Sequence, residues 1–321
     1  MTRSSLLIYI ARRLAAMVLL LILLSFVIFS LTYLTPGSPV DVLLGPNTRT
    51  PETVAALTAK YHLNEPFFTQ YWYWVKGAAQ LDFGDSIQTT LPVTDQITSR
   101  LPTSLYLGGY AYIVALALGI IPGVVAAMRR GGALDRVTVA GSIVALSTPA
   151  FVSGVFALYL LAVVVPIFPV AGLGEGFVDG LWHLTLPAIA LALSVMAFLV
   201  RHTRAAMIGV LDQDYVTFAR ARGMSARRVM LKYALRNALM PIVTISGTLL
   251  SSLIIGAVVV EQTFSLNGVG SLLVQSVMSK DVPMIQGLAL VIAALIIVMN
   301  LLADIAYIVI DPRIRLGRHE S

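Results

Sequence analysis

Cysteine is absent from this 321-residue chain, and charged residues make up only 12% of it. Without cysteine there can be no disulfide, no thiol nucleophile and no cysteine-ligated metal. A soluble domain carries roughly 25% charged residues, so this chain lacks the polar surface to cover a globule in water. Because 58% of the residues are hydrophobic and the mean hydropathy is +0.86, we predict an all-α membrane protein.

Motifs of catalysis and nucleotide binding are missing as well. The apolar runs contain no HExxH sequence and no acidic pair at catalytic spacing, and the four histidines are scattered along the chain. The Gly-rich segment 172–176 lacks the Lys-Ser/Thr pair of a phosphate-binding P-loop. We therefore predict that the chain is not an enzyme and needs no cofactor or metal. If transport is active, its energy must come from another subunit.

Uncharged runs long enough to cross a membrane are the main feature that is present. About 20 helical residues span roughly 30 Å of hydrocarbon. Six runs reach this length: 14–34, 101–128, 137–174, 180–200, 237–260 and 282–303. Pro166 and Pro169 should end the helix of the overlong third run, and Pro122 and Pro149 should kink the second and third helices.

Lysine and arginine are distributed unevenly between the loops. Seventeen of the 22 lie at the N-terminus, between the second and third runs, between the fourth and fifth, and after the sixth. The other loops hold five: Arg49, Lys60, Lys76, Arg100 and Lys280. Basic residues accumulate on the cytoplasmic side, so both termini are predicted to be cytoplasmic. Because this topology explains the basic pI near 9.6, no nucleic-acid partner is expected.

The same pattern divides the chain into four parts. They are the cytoplasmic N-terminus with the first span at 1–34, an extracytoplasmic segment at 35–100, a transmembrane core at 101–310, and a cytoplasmic tail at 311–321. Within the extracytoplasmic segment, residues 51–60 and 66–80 predict short helices. Five aromatic residues fall between Phe67 and Trp74. Such rings are typical of the headgroup region, so this helix is predicted to lie on the outer leaflet.

The basic loop 209–240 is the most informative stretch of the chain. Asp212 is a favourable N-cap for a helix over 213–222. Gly223 would end that helix in the left-handed conformation. A loop this ordered and this charged indicates a docking surface rather than a connector. The alternative is that its charges serve topology alone.

A second helix is predicted immediately after Gly223. Ser225 is a suitable N-cap for residues 226–239, and Pro241 would open the fifth span. The two helices and the turn between them would form a rigid projection on the cytoplasmic side.

This loop resembles the coupling loop of permease subunits of ABC importers for dipeptides and oligopeptides. In the general family signature, Glu-Ala-Ala is followed after three residues by Gly. Here Gly223 fits, and Thr217, Phe218 and Ala219 occupy the Glu-Ala-Ala positions, so only Ala219 matches. The peptide-importer pattern DYVxxARAxG matches 214–223, and ALRNALxP matches 234–241. Further similar segments are YIARRL at 9–14, PGSP at 36–39, LDFGDSI at 81–87, VVVEQTF…GVG at 258–270 and DPRIR at 311–315.

The resemblance implies a type I ABC-importer permease fold with six transmembrane helices in the bacterial inner membrane. It also implies partners: a second homologous permease, two cytoplasmic ABC ATPase subunits and an extracytoplasmic solute-binding protein, all within or against the lipid membrane. The aromatic segment 66–80 could then contact that binding protein as well as the bilayer. The implied ATPase-coupling interface consists of Asp212, Asp214, Tyr215, Phe218, Ala219, Arg220, Ala221, Arg222, Gly223, Met224 and Ser225.

Peptides are the substrate that the resemblance favours. Nickel chelates, haem, glutathione and oligosaccharides are alternatives, because related permeases carry them. A stand-alone channel or secondary transporter is a more distant alternative, since it would need charged sites within the spans or inverted repeats. Neither is apparent in the sequence. A membrane-embedded enzyme would need a nucleophile–base pair or a metal site, which the sequence also lacks.

Overall fold

The computed structural model describes the backbone of residues 3–34, 37–45 and 49–310, and the side chains of 11–34, 37–45 and 49–305. The predicted cytoplasmic tail with its DPRIR sequence, and Pro36 of the PGSP segment, lie outside the described residues. Within the described residues the secondary structure is helical, and β-pairing is confined to one isolated bridge between Asp85 and Pro92. The all-α prediction is confirmed.

The described residues form long helices joined by shorter ones. The α-helices are α1 Arg3–Leu34, α2 Pro39–Leu44, α3 Pro51–Lys60, α4 Phe67–Ala79, α5 Val93–Met128, α6 Ala133–Ser147, α7 Ala150–Leu158, α8 Gly176–Leu211, α9 Asp214–Ala221, α10 Ala226–Arg228, α11 Arg236–Thr263, α12 Val269–Met278 and α13 Val282–Ile310. π-Helical segments at Tyr159–Val164 and Val229–Leu235 follow α7 and α10. By length and composition, five described helices can cross a membrane, and a sixth span results if α6 and α7 form one broken span.

The break between α6 and α7 is sharper than the predicted kink. The helix axis bends by 103° between Ser147 and Ala150. Pro149 stands at the break and has no N–H with which to continue the hydrogen bonds of α6. After α7 the helical backbone ends at Val164, ahead of Pro166, so the predicted end of this run is confirmed.

Helices extend beyond the apolar runs that predicted them. α5 begins at Val93 rather than at Leu101, and α8 covers Gly176–Leu211 rather than 180–200. Backbone hydrogen bonding continues through polar residues once a helix has formed, because adding a residue costs less than starting a helix. The apolar runs therefore predicted the membrane-spanning part of each helix but underestimated the length of the whole helix.

Residues 1–104 and 267–298 form one compact unit. In it α4 packs against α1 through aromatic rings, with Phe29 only 7% exposed and its ring 5.7 Å from those of Tyr71 and Trp74. The helix predicted at 66–80 is thereby confirmed as α4. Phe68 and Trp72 remain 72% and 64% exposed, so part of this aromatic surface is free to meet lipid or a protein.

Asp281 fixes the segment 81–88 to the start of α13 in this unit. Its carboxylate accepts hydrogen bonds from the Ser86 hydroxyl and from the backbone N–H of Ile87 at 3.2 Å. The backbone N–H of Met284, in the first turn of α13, donates to the same carboxylate at 3.3 Å. Asp281 is 2% exposed, so it caps the helix and satisfies a neighbouring loop from a buried position.

The described residues within 105–266 and 299–310 form the second compact unit, in which α8 is central. α8 packs against α6, α7 and α11. A Cβ atom on Gly123 of α5 would lie 2.9 Å from the Val200 carbonyl and 2.7 Å from the Thr203 Cβ of α8. Only glycine permits this approach of α5 to α8, which agrees with the use of small residues for close packing of membrane helices.

Candidate functional site

The described part of loop 209–240 contains the predicted first helix as α9, within one residue of the prediction at each end. The predicted N-cap is wrong. Gln213 occupies that position, and its side chain makes no capping hydrogen bond. Asp212 instead ends α8, and its backbone N–H donates to the Ile208 carbonyl at 3.1 Å. The carboxylate of Asp212 instead accepts from the guanidinium of Arg130 at 3.1 Å. The Asp212 carboxylate therefore pairs with Arg130 and does not cap α9.

α9 has one buried face and one exposed face. Val216 and Ala219 are 0% and 4% exposed, and they form a small apolar cluster with Val229. Their spacing of three residues brings both side chains to the same side of the helix. On the other side, Phe218 is 70% exposed and Tyr215 is 41% exposed. The helix therefore presents aromatic rings outward while apolar contacts hold it to the protein.

The turn at Gly223 ends α9 by a Schellman motif. The backbone N–H of Gly223 donates to the Arg220 carbonyl at 2.9 Å, and that of Met224 donates to the Ala219 carbonyl at 3.3 Å. Gly223 has φ +74°, the left-handed conformation that this motif requires and that glycine adopts without steric cost. Met224 packs against the cluster that contains Ala219, as expected for the residue after the turn. The predicted role of Gly223 in the backbone is confirmed.

The second predicted helix begins at Ala226 as expected, but it continues into the fifth span, so the boundary predicted at Pro241 is wrong. Ala226–Thr263 is one helical element of 38 residues, with the π-helical segment near its start. Ser225 stands at its N-cap position without a side-chain hydrogen bond. Pro241 lies inside α11 rather than at its start. An interior proline removes one backbone hydrogen bond, which long membrane helices tolerate where neighbouring groups compensate.

Two ion pairs join α8 to the loop between α5 and α6 and to the start of α6. Arg130 contacts Asp212 from this loop, and Arg204 of α8 binds the carboxylate of Asp135, in the first turn of α6. The backbone N–H of Gly131 also donates to Asp135 at 2.8 Å. In the sequence, these arginines indicate only the predicted topology. Pairs separated by 69 and 82 positions leave no local signal in a single sequence.

Nine of the eleven predicted interface residues are exposed. They are Asp212, Asp214, Tyr215, Phe218, Arg220, Ala221, Arg222, Gly223 and Ser225. Ala219 is buried and Met224 is partly buried, so these two support α9 from behind. A cavity of about 330 Å³ lies beside the helix, bordered by Arg130, Asp212 and Arg220. α9 thus exposes aromatic rings and guanidinium groups while its other face packs against the protein, an arrangement suited to contact with another protein.

Comparison with known families decides what this arrangement belongs to. Residues 115–316 match the family described as the binding-protein-dependent transport system inner membrane component, and residues 6–108 match the N-terminal part of such membrane components. The chain belongs to this family. It is a permease of the inner membrane, and permeases of this family are the membrane components of ABC transporters, whose ATPase is in separate subunits.

Curated relatives resemble this permease over nearly its whole length. The dipeptide transport system permease protein DppB of Bacillus subtilis is 36% identical over 311 residues, which cover 97% of this chain and 98% of the relative. The oligopeptide transport system permease protein AppB of the same organism is 38% identical over 312 residues, covering 95% and 98%. These matches confirm the resemblance that the sequence motifs predicted.

A solved structure supports the fold of the permease. The structure described as inward-facing conformations of the MetNI methionine ABC transporter matches with a TM-score of 0.54 at 15% identity. The match covers 67% of this chain and 96% of the other. At this identity the likeness extends to the fold alone, and it confirms the expected fold of an ABC-importer permease.

Proposed function

We propose that this permease forms the translocation pathway for short peptides together with a second, homologous permease subunit. A binding protein on the extracytoplasmic side would deliver the peptide, and two cytoplasmic ATPase subunits would drive transport. The substrate class is supported by the near full-length similarity to permeases named for dipeptide and oligopeptide transport. This similarity favours peptides over nickel chelates, haem, glutathione and oligosaccharides.

The exposed face of α9 is our candidate for the surface on which an ATPase subunit docks. The observation that carries this proposal is the pair of exposed rings, Tyr215 and Phe218, on a helix whose opposite face is buried. Aromatic residues in contact with water favour burial against a partner. Arg220 and Arg222 flank the rings and add positive charge, which would orient a partner that carries acidic groups.

The anchoring of α9 supports a role in transmitting motion. Its buried residues Val216 and Ala219 contact Val229, which belongs to the helical element Ala226–Thr263. The turn at Gly223, whose main-chain hydrogen bonds run back to α9, leaves only a short covalent link between α9 and this element. A displacement imposed on the exposed face would therefore reach a membrane-spanning helix through packed side chains and a short turn.

Replacement of Phe218 tests the docking surface. With the ATPase partners co-expressed, Phe218→Ala should reduce the ATPase that co-purifies with the permease, because the ring is exposed and contributes little to the fold. Leu134→Ala is the matched control, since Leu134 is also apolar and 43% exposed but lies outside α9. Equal ATPase recovery with both variants, at equal amounts of permease in the membrane, would reject α9 as the docking surface.

Reconstitution tests the substrate class. Proteoliposomes that contain both permeases, the ATPase subunits and the binding protein should accumulate a labelled dipeptide only when ATP is supplied on the ATPase side. A nickel chelate, haem, glutathione and an oligosaccharide serve as competing substrates. ATP-dependent uptake of one of these without uptake of the dipeptide would replace peptide as the substrate.

A further inference from the structure

A cavity in the first compact unit has no role in the function proposed above. Its volume is about 410 Å³, and it lies among the residues that connect α3 to α4, the segment 82–85, and Gln286 of α13. The distribution of basic residues predicts that the segment 35–100, which forms most of its wall, is extracytoplasmic. The cavity would then face the side from which substrate arrives.

Two carboxylates and one ammonium group border this cavity. The ammonium group of Lys60 donates a hydrogen bond to the Asp85 carboxylate and its charge also acts on Asp82, so the three groups leave one negative charge in excess. Asp82 also borders the cavity, and its carboxylate accepts a hydrogen bond from the backbone N–H of Gly84 at 3.0 Å. Among the described residues, no basic side chain forms an ion pair with Asp82. A guest with positive charge is therefore favoured over a neutral or negative one.

Aromatic rings form much of the remaining wall. Tyr61, Tyr73 and Trp74 all border the cavity. The imidazole of His62 stacks on the ring of Tyr73 with a distance of 4.0 Å between ring centroids. His62 adopts φ +53° at the end of α3, a conformation that costs energy for any residue with a Cβ atom. Aromatic faces attract cations and also pack against apolar side chains.

Gln286 contributes an acceptor from a buried position. The residue is 5% exposed, and its Nε2 donates to the Thr32 hydroxyl at 2.8 Å. Its Oε1 has no hydrogen-bond partner among the described residues. This oxygen is also not fully buried, unlike the side-chain oxygen of Thr203, which lacks a partner in the part of the chain that the structure describes. Because Gln286 borders the cavity, this oxygen is accessible to a guest that donates a hydrogen bond.

We propose that this cavity binds the α-ammonium end of a short peptide. The Asp82 carboxylate and the Gln286 Oε1 accept hydrogen bonds from the ammonium group. The rings of Tyr61 and Tyr73 cover the first side chain of the peptide. This inference rests on the proposed function for the identity of the guest as a peptide, whereas the preference for a primary ammonium group follows from the cavity itself.

Calorimetry on the purified full-length permease, in complex with the second permease and the ATPase subunits but without the binding protein, tests the proposal. The probes are alanyl-phenylalanine, its N-acetyl derivative, and phenethylamine, which has the ammonium group and the ring but no peptide bond. The free dipeptide should bind at least roughly tenfold more tightly than the acetylated one, because a charge-assisted hydrogen bond to a carboxylate is lost on acetylation. Equal binding of both peptides, or binding of neither, overturns the proposal. Binding of phenethylamine without the dipeptide overturns the assignment of a peptide.

Two variants assign the binding to this cavity. Asp82→Asn removes the charge but keeps an oxygen for the Gly84 N–H, so the fold should persist while dipeptide affinity falls roughly tenfold. Asp95→Asn is the matched control, because Asp95 is an exposed carboxylate of the same unit that does not border the cavity. Unchanged affinity in Asp82→Asn, or equal losses in both variants, contradicts binding here.

The inference and the proposed function fail in different ways. If the proteoliposomes import the dipeptide in an ATP-dependent manner but Asp82→Asn binds it as the parent does, the cavity assignment is wrong and peptide transport stands. If no peptide is imported while the ammonium probes bind in an Asp82-dependent manner, the proposed substrate is wrong. The peptide as guest is then overturned, and the selectivity of the cavity for ammonium groups is retained.

Discussion

Arg204 binds Asp135 through two parallel hydrogen bonds, from Nε to Oδ1 at 2.6 Å and from Nη2 to Oδ2 at 2.8 Å. This geometry joins α8 to the first turn of α6, and the carboxylate side chain is only 6% exposed. A planar guanidinium matches a carboxylate in this way and a lysine ammonium does not. The pair therefore links two helices of the second unit close to the loop that contains Arg130.

Removal of Arg204 should destabilise the protein clearly more than removal of Arg130. Arg204→Leu leaves the largely buried Asp135 carboxylate without its counter-charge, whereas Arg130 and Asp212 are 61% and 62% exposed. Exposed pairs contribute about 0–1 kcal/mol, so Arg130→Leu should be nearly neutral. Thermal unfolding of both variants in the same detergent checks this order. Equal melting temperatures would mean that the bidentate pair contributes no more than the exposed pair.

Asp281→Ala should lower stability by about 1–3 kcal/mol, the range for leaving buried donors unsatisfied. The Ser86 hydroxyl and the backbone N–H groups of Ile87 and Met284 all donate to this carboxylate. Asp281→Asn should be milder, because the amide oxygen still accepts from the backbone. Thermal unfolding and limited proteolysis of the segment 81–88 measure both effects. The assignment of Asp281 as a shared cap fails if the alanine and asparagine variants are equally stable.

Gly223→Val should disrupt coupling without preventing membrane insertion. A left-handed backbone costs a residue with a Cβ roughly 1–2 kcal/mol, and more if the side chain is β-branched. Nothing lies within 4 Å of a Cβ built on Gly223, so the expected effect comes from backbone strain rather than from a clash. Transport and ATPase co-purification at matched membrane levels should fall in the order Gly, Ala, Val.

Gly223→Asn is the control for this series, because asparagine tolerates the left-handed conformation that ends a helix. It should retain most of the activity that the valine variant loses. If the valine variant behaves like the parent, the turn has no part in coupling. A topology-only role of the loop predicts that outcome, because every variant in the series keeps the charge of the loop.

Reporter fusions should detect residue 220 in the cytoplasm and residues 60 and 176 outside it. The reason is the unequal distribution of lysine and arginine, with 17 of 22 on the predicted cytoplasmic side. A fusion at each position, combined with an alkaline phosphatase or a fluorescent reporter, provides the measurement. An extracytoplasmic signal at residue 220 would remove α9 from the reach of any cytoplasmic ATPase.

Local signals predicted the helices and turns that depend on neighbouring residues. The helix over 51–60 and its proline in the first turn are present as α3, and the left-handed Gly223 is present at the end of α9. Both depend on backbone chemistry within a few positions. The burial of Ala219, which was predicted as an interface residue, was not foreseen, because the sequence could not identify Val229 as the residue packed against it.

Features that depend on distant residues were not predicted. The N-cap assigned to Asp212 failed because α8 extends to Leu211 and Arg130 pairs with that carboxylate. Pro241 marked no boundary, since the helix that contains it begins upstream at Ala226. In both cases the extent of a longer helix, rather than the local preference of one residue, set the boundary. A single sequence does not show where those longer helices begin and end.

Because Ala226–Thr263 is one continuous helical element, a small tilt at one end would move the other end by several ångströms. Thirty-eight helical residues at a rise of 1.5 Å extend for about 57 Å, which exceeds the roughly 30 Å hydrocarbon thickness. A tilt of about 5° at the end beside α9 would displace the opposite end by about 5 Å, close to one helical turn. The π-helical segment at Val229–Leu235 lies near the end beside α9. Val229, which packs against α9, belongs to this segment, so a push on α9 would reach the long helix at this end.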